Sequence, residues 1–197
     1  MNGLEGFSQR VRTTKQQIPG LILKELRATG LRGEGLAKKY ATERLKVRTG
    51  YLRRSIQGSV KSDGGTTELA LRAGGGERDV RYAALQEYGG TNTPKNSKFL
   101  AIPVGPALTA SGVPKYRSPR DVPGLRFVPI LGGKMGLLVK DYAGRGKSGR
   151  GARSEVWYRL VRSVTVTGQH YLHDGFEEAR AGLEDRLHDR ITALVGV

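Results

Sequence analysis

Three places in the 197-residue chain hold side chains that could do chemistry. The first is Asp141–Ser148, D-Y-A-G-R-G-K-S, which nearly matches a phosphate-binding loop. That loop needs glycine at its first position so that backbone amides can cradle phosphate, and a helix must follow it. Here the position is Asp141, a carboxylate, and a strand pattern follows. The run is therefore read as a solvated, mobile Gly-rich loop over 141–154, with Arg145, Lys147, Arg150 and Arg153 free to reach a polyanion or a neighbour. The second place is His170, His173 and Asp174, which can share one helix face as metal ligands do. With three histidines and no cysteine in the chain, at a helix start, capping and surface roles are the plainer reading, and no metal or cofactor site is assigned. The third is Glu87, at the end of a short helix, with no partner in sequence for acid–base work. A structural ion pair with Arg53 or Arg54 is expected, because a buried carboxylate needs a partner. No Ser–His–Asp set is identifiable, and the chain is read as non-enzymatic.

The elements that would position these residues follow from periodicity. Leu4 to Thr29 reads as helix, with Ile18, Leu21, Ile22 and Leu26 on one stripe and Pro19 dividing off a short first segment. Gly30, Gly33 and Gly35 predict a break, after which the helix resumes to Arg48. Thr49-Gly50 supplies a left-handed stop, and from Leu52 the apolar period becomes two, with Arg54 the exception. A hairpin follows: Leu52–Ser62, a turn at Asp63-Gly64-Gly65, then Thr67–Ala73. Asp79 can cap a helix over Val80–Tyr88 that Gly89-Gly90 ends. Strands are expected at Phe99–Val104, Leu125–Leu131, Met135–Asp141 and Glu155–Thr167, with an irregular Pro-rich excursion over Gly105–Gly124. In the last strand Val156, Tyr158, Leu160, Val164 and Val166 share a face, and a single helix closes the chain from His170 to Val195. The assembled expectation is α+β: an antiparallel sheet packed on one face by long N-terminal and C-terminal helices, with extended hairpin loops. One domain is expected over residues 1–197, with an enlarged loop and hairpin region at about 91–154.

Composition narrows the partners. Net charge is +16, from 34 Lys and Arg against 18 Asp and Glu, which attracts polyanions and acidic protein surfaces. From Met1 to Ser62 there are 14 basic residues against four Glu and no Asp. Aromatics are only 7%, too few for a base-stacking platform, and no zinc finger or helix-turn-helix pair is visible. No apolar run approaches a membrane span, and the N-terminal residues lack a basic-then-apolar signal, so a soluble protein made in the cytoplasm is expected.

Two short patterns resemble a family. T-G-Y-L-R-R-S-I (Thr49–Ile56) is similar to the T-G-x-L-R-x-S-I signature of the tail-completion, or head–tail connector, proteins of long-tailed bacteriophages. R-Y-A-A-L-Q-E-Y-G-G-T (Arg81–Thr91) resembles that family's Y-A-x-x-x-E-Y-G-T. K-F-L-A-I-P (Lys98–Pro103) and H-Y-L-H-D-G-F-E-E-A (His170–Ala179) look like its later segments, in the same order. The chain departs from the family at Lys46-Val47-Arg48, where a proline is common, and at the additional Gly90. The resemblance implies a virion structural protein of the neck, made in the host cytoplasm. Copies would form a cyclic homo-oligomer, sixfold by resemblance, around double-stranded DNA. Portal, adaptor or stopper proteins would lie on the head side and a tail terminator or tail tube protein on the other. It also implies that Thr49, Gly50, Leu52, Arg53, Ser55, Tyr82, Glu87, Tyr88 and Gly89 hold the core and subunit contacts. The alternative is a basic DNA-binding protein acting outside the virion.

Overall fold

Gly50 stands at the junction of the first helix with everything that follows, and its backbone is left-handed, at φ 69°. In the computed structural model, which describes residues 2–63, 65–74, 80, 82–144 and 151–195, helix α1 runs unbroken from Asn2 to Arg44. A single helical turn, α2 (Tyr51–Ser55), follows Gly50, and only then does the chain extend into β1 (Gln57–Asp63). The expected strand from Leu52 is therefore corrected. Leu52 and Ile56, both buried, are four residues apart and satisfy a helical turn as well as a period of two. Arg54, misplaced on a strand face, is properly placed in a turn, where its amide reaches the Gly50 carbonyl at 3.1 Å.

The predicted break in α1 is also corrected. The glycines are where other elements approach the helix. A Cβ on Gly33 would lie 2.9 Å from Leu71 and 3.3 Å from Ala179, and one on Gly58 would lie 2.6 Å from the Gly30 carbonyl oxygen. Packing at these contacts outweighs the roughly 1 kcal/mol each glycine costs a helix. Pro19 likewise sits inside α1 without dividing it.

The chain falls into two compact units, Met1–Tyr88 with Gly168–Val197, and Gly89–Thr167. The first holds α1, α2, the antiparallel hairpin β1–β2 (Thr66–Arg72), α3 (Ala83–Tyr88), α4 (Tyr171–Arg180) and α5 (Leu183–Val195). Its core is Ala37, Ala41, Leu52, Ile56, Val80, Ala83 and Tyr171. The long N-terminal helix and α4 pack against the hairpin, which makes the fold α+β. The C-terminal helix is two helices rather than one. Gly182, at φ 68°, breaks it, a step hidden by the unbroken apolar spacing from Ala179 to Leu183.

The second unit holds a two-stranded ladder, β3 (Gly89–Asn92) with β8 (Val164–Thr167), and a four-stranded antiparallel sheet. The sheet order is β4 (Leu100–Pro103), β7 (Arg153–Val161), β6 (Met135–Tyr142) and β5 (Leu125–Ile130). Residues 153–167 thus form two strands in different sheets, not one. An irregularity in register opposite Leu138 and Val139 leaves both Trp157 and Tyr158 buried and Val156 exposed, so the expected alternation fails at that point. The Pro-rich excursion is more ordered than expected. It carries two 3-10 turns, the second held by a capping box between Ser118 and Asp121, and its Ala107 and Val122 pack on Trp157 and Tyr158. Among the described residues no helix is long and apolar enough to cross a membrane.

Candidate functional site

The stretches that carry the resemblance meet inside the first unit. Leu52 and Ile56 come from the first pattern, Ala83 from the second and Tyr171 from the last, all in one core with Ala37 and Ala41 of α1. Tyr171, fully buried, donates from its hydroxyl to the Ala83 carbonyl at 3.4 Å, and burial raises its phenol above the ordinary range.

Glu87 is the hinge of this arrangement. It is 3% exposed, and its two carboxylate oxygens accept from the backbone amides of Leu172 and His173, each at 2.9 Å. Those are orphan donors of the first turn of α4. The preceding His170 has φ 48° and gives no side-chain cap, so a carboxylate from a distant element performs the capping. Negative charge at a helix N-terminus is also favoured by the helix dipole. The Glu87 carbonyl accepts from the His170 amide at 3.1 Å, and that of Gln86 from Gln169 at 2.9 Å, so α3 and the start of α4 are stitched by backbone as well. The expected ion pair of Glu87 with Arg53 or Arg54 is thereby corrected. Two amides satisfy the carboxylate, while Arg54 instead donates to the Thr49 carbonyl at 3.1 Å and lies over the Tyr51 ring. Arg53 is exposed.

Ser55 bridges as well. Its hydroxyl donates to the Leu52 carbonyl at 2.8 Å and accepts from the Gly74 amide at 3.0 Å, tying α2 to the end of the hairpin. The signature residues therefore divide in two. Gly50, Leu52, Ser55 and Glu87 hold the interior together, and Gly89, at φ 73°, turns the chain from α3 into β3. Thr49, Arg53, Tyr82 and Tyr88 face outward, with Tyr88 74% exposed and Tyr82 44%.

The remaining candidates are separate from this centre. Arg145, Lys147 and Arg150 lie outside the described residues, as do Asp79, Gly64 and the glycines at 75 and 76. Arg153 is described and exposed. It reaches Glu155 at 3.1 Å and lies 5.1 Å from the Tyr142 ring. Asp141, the residue that spoils the phosphate-loop match, is a strand residue bound to Arg126 at 2.9 Å and to the Ser154 hydroxyl at 2.6 Å, and both hold its carboxyl below the usual range. Of the three polar residues near 170, Asp174 is engaged by Arg44 at 2.6 Å, which lowers its carboxyl; His173 Nδ1 is 3.5 Å from it.

Sequence reasoning missed the contacts that fix the helices. Glu25, buried in α1, meets Arg186 at 3.0 Å and Arg190 at 3.2 Å from α5. Glu34 accepts from Lys38 at 2.5 Å and from the Gly58 amide at 3.0 Å, and both lower its carboxyl. Tyr40 donates to Glu178 across to α4. The one available signal was the stripe Gly30, Gly33, Ala37, Ala41, small residues at helical spacing, which marks close approach rather than a break. No protein-family model, no curated protein and no solved structure matches the chain.

Proposed function

We propose that this chain is a non-enzymatic subunit of the phage neck, assembling as a ring at the head–tail junction around the DNA channel. The observation that carries the reading is the convergence of the motif stretches. The two patterns and the C-terminal segment, separated by up to about a hundred residues, share one core and one capping carboxylate. A chance match of short patterns has no reason to converge in space. Three further features support it. Tyr82 and Tyr88 are large exposed aromatics beside the second pattern, the residue type enriched at subunit contacts. The β1–β2 hairpin is a sheet of two strands, so both strands are edges that a neighbour can extend. The net charge of +16 suits a passage for DNA or an acidic docking face.

The second reading, a basic DNA-binding protein outside the virion, is favoured by the row of exposed cations on α1, such as Arg12, Lys15, Lys24 and Arg27. One experiment separates the two. Light scattering of the purified chain measures assembly, and a salt titration of duplex binding measures phosphate contacts. The neck reading expects a closed oligomer of fixed stoichiometry. A monomer or dimer whose DNA affinity falls steeply with salt would favour the second reading and remove the first.

A further inference from the structure

Helix α1 is about 65 Å long at 1.5 Å per residue, and its own chain covers only part of it. The antiparallel register with the C-terminal helices is fixed by Arg44 with Asp174 at one end and Glu25 with Arg186 and Arg190 at the other. Helix α5 ends at Val195, five residues beyond Arg190. Five residues rise about 8 Å, which brings the end of α5 level with about residue 20 of α1. Residues 2–17 therefore overhang by about 24 Å. Within them the described side chains are exposed, apart from half-buried Thr14, and Val11 is 50% exposed.

The overhang is not a purely polar rod. Leu4, Phe7, Val11, Thr14 and Ile18 step by three and four, in phase with Glu25 and Thr29, which face inward further along the helix. The pairing of α1 with α5 is open in a complementary way. Helix α4 buries Tyr171, Gly175 and Ala179, but no residue of α5 from 183 to 194 is buried. Leu187, Ile191 and Leu194 of α5, and Ile22 and Leu26 of α1, are all half-exposed.

Resting on the ring reading above, we infer that the N-terminal overhang of α1 docks on the open α1–α5 seam of an adjacent copy. A continuous helix cannot fold back on its own seam, so the occupant is a second chain. Charge selects the site. The overhang flanks its apolar stripe with Arg12 and Lys15, while α5 carries Glu184, Asp185 and Asp189, exposed and without an ion pair among the described residues. Pairing of two overhangs would instead bring Arg12 and Lys15 of both copies together. The contact is heterologous, each copy giving an arm and receiving one, which is the kind that closes into rings.

The test uses the full chain. Reversing the arm's charge with R12E/K15E should lower the mass seen by light scattering to that of a single chain, at unchanged far-ultraviolet circular dichroism. Adding E184K/D185K in the same chain should restore it. The chain has no cysteine, so single-cysteine variants report cleanly. Mixed V11C and L187C chains should form a disulfide between copies, and V11C alone should not. Assembly of R12E/K15E like the unmodified chain, failure of the charge swap to restore it, or efficient V11C self-linking would overturn the inference and leave the ring reading standing. An unmodified chain that never assembles would remove both.

Discussion

Replacing Glu87 with Ala removes the carboxylate that caps α4 from 85 residues away. Two backbone amides, of Leu172 and His173, lose their acceptor. A hydrogen bond to a charged group contributes about 1.5–3 kcal/mol. The lower end applies here, because the variant also relieves the burial of a carboxylate, so the loss is about 3 kcal/mol for the two bonds. For a chain of this size, about 2–4 °C of Tm follows each kcal/mol, giving a fall of about 6–12 °C. Glu87→Gln keeps one acceptor oxygen and should lose about half as much. Glu43→Ala, on the exposed side of α1, is the control and should change stability by no more than about 0.5 kcal/mol. Denaturant unfolding gives the energies, and amide exchange gives the location. Exchange at Leu172 and His173 should accelerate in Glu87→Ala before any global change. The reasoning fails if Glu87→Ala unfolds within about 0.5 kcal/mol of the unmodified chain, or if those two amides stay as protected as before.

Four further outcomes follow from the same contacts. Gly58→Ala places a Cβ 2.6 Å from the Gly30 carbonyl oxygen and should destabilise by about 1–3 kcal/mol, since backbone must move, whereas Gly35→Ala meets no atom within 4 Å and should stabilise α1 slightly; urea midpoints decide both. Gly50→Ala forces a side chain into the left-handed region and should cost about 1 kcal/mol by the same assay. Glu25→Gln should lower stability by about 1–2 kcal/mol, less than a fully buried pair, because Arg186 and Arg190 are partly exposed and can be solvated; unchanged thermal unfolding would refute a role for the pair. Asp174 and Glu34 titrate below their ordinary values when folded, so the stability they add is complete above the usual carboxylate pKa of about 4 and is lost as pH falls through their folded values. Stability should thus decline below about pH 4, and Asp174→Asn should make that decline shallower in pH-dependent denaturation.

Elements with a strong local signal were legible. The β1–β2 hairpin, the strands near 100, 125 and 135, and the ends of α1 and α3 follow from alternation and glycine stops. What was not legible is what depends on a partner far away in sequence. Gly30 and Gly33 read as a weakness in a helix until Gly58, Leu71 and Ala179 are placed against them. Leu52 and Ile56 fit two periods equally, and only the hydrogen bond from Arg54 to Gly50 decides for a turn. The buried acid at 87 was singled out correctly as needing a partner, but a helix N-terminus leaves no mark in sequence that names its distant cap. Trp157 and Tyr158 both face the core because of an irregular register with β6, which periodicity in one strand does not contain.

The claim that most needs testing is place. Purified particles of the phage encoding this chain, carrying a small epitope on it, can be imaged by electron microscopy after gold labelling. The account predicts label confined to the head–tail junction, with a fixed small number of copies per particle. Label absent from mature particles, or spread over heads or along tails, would contradict it.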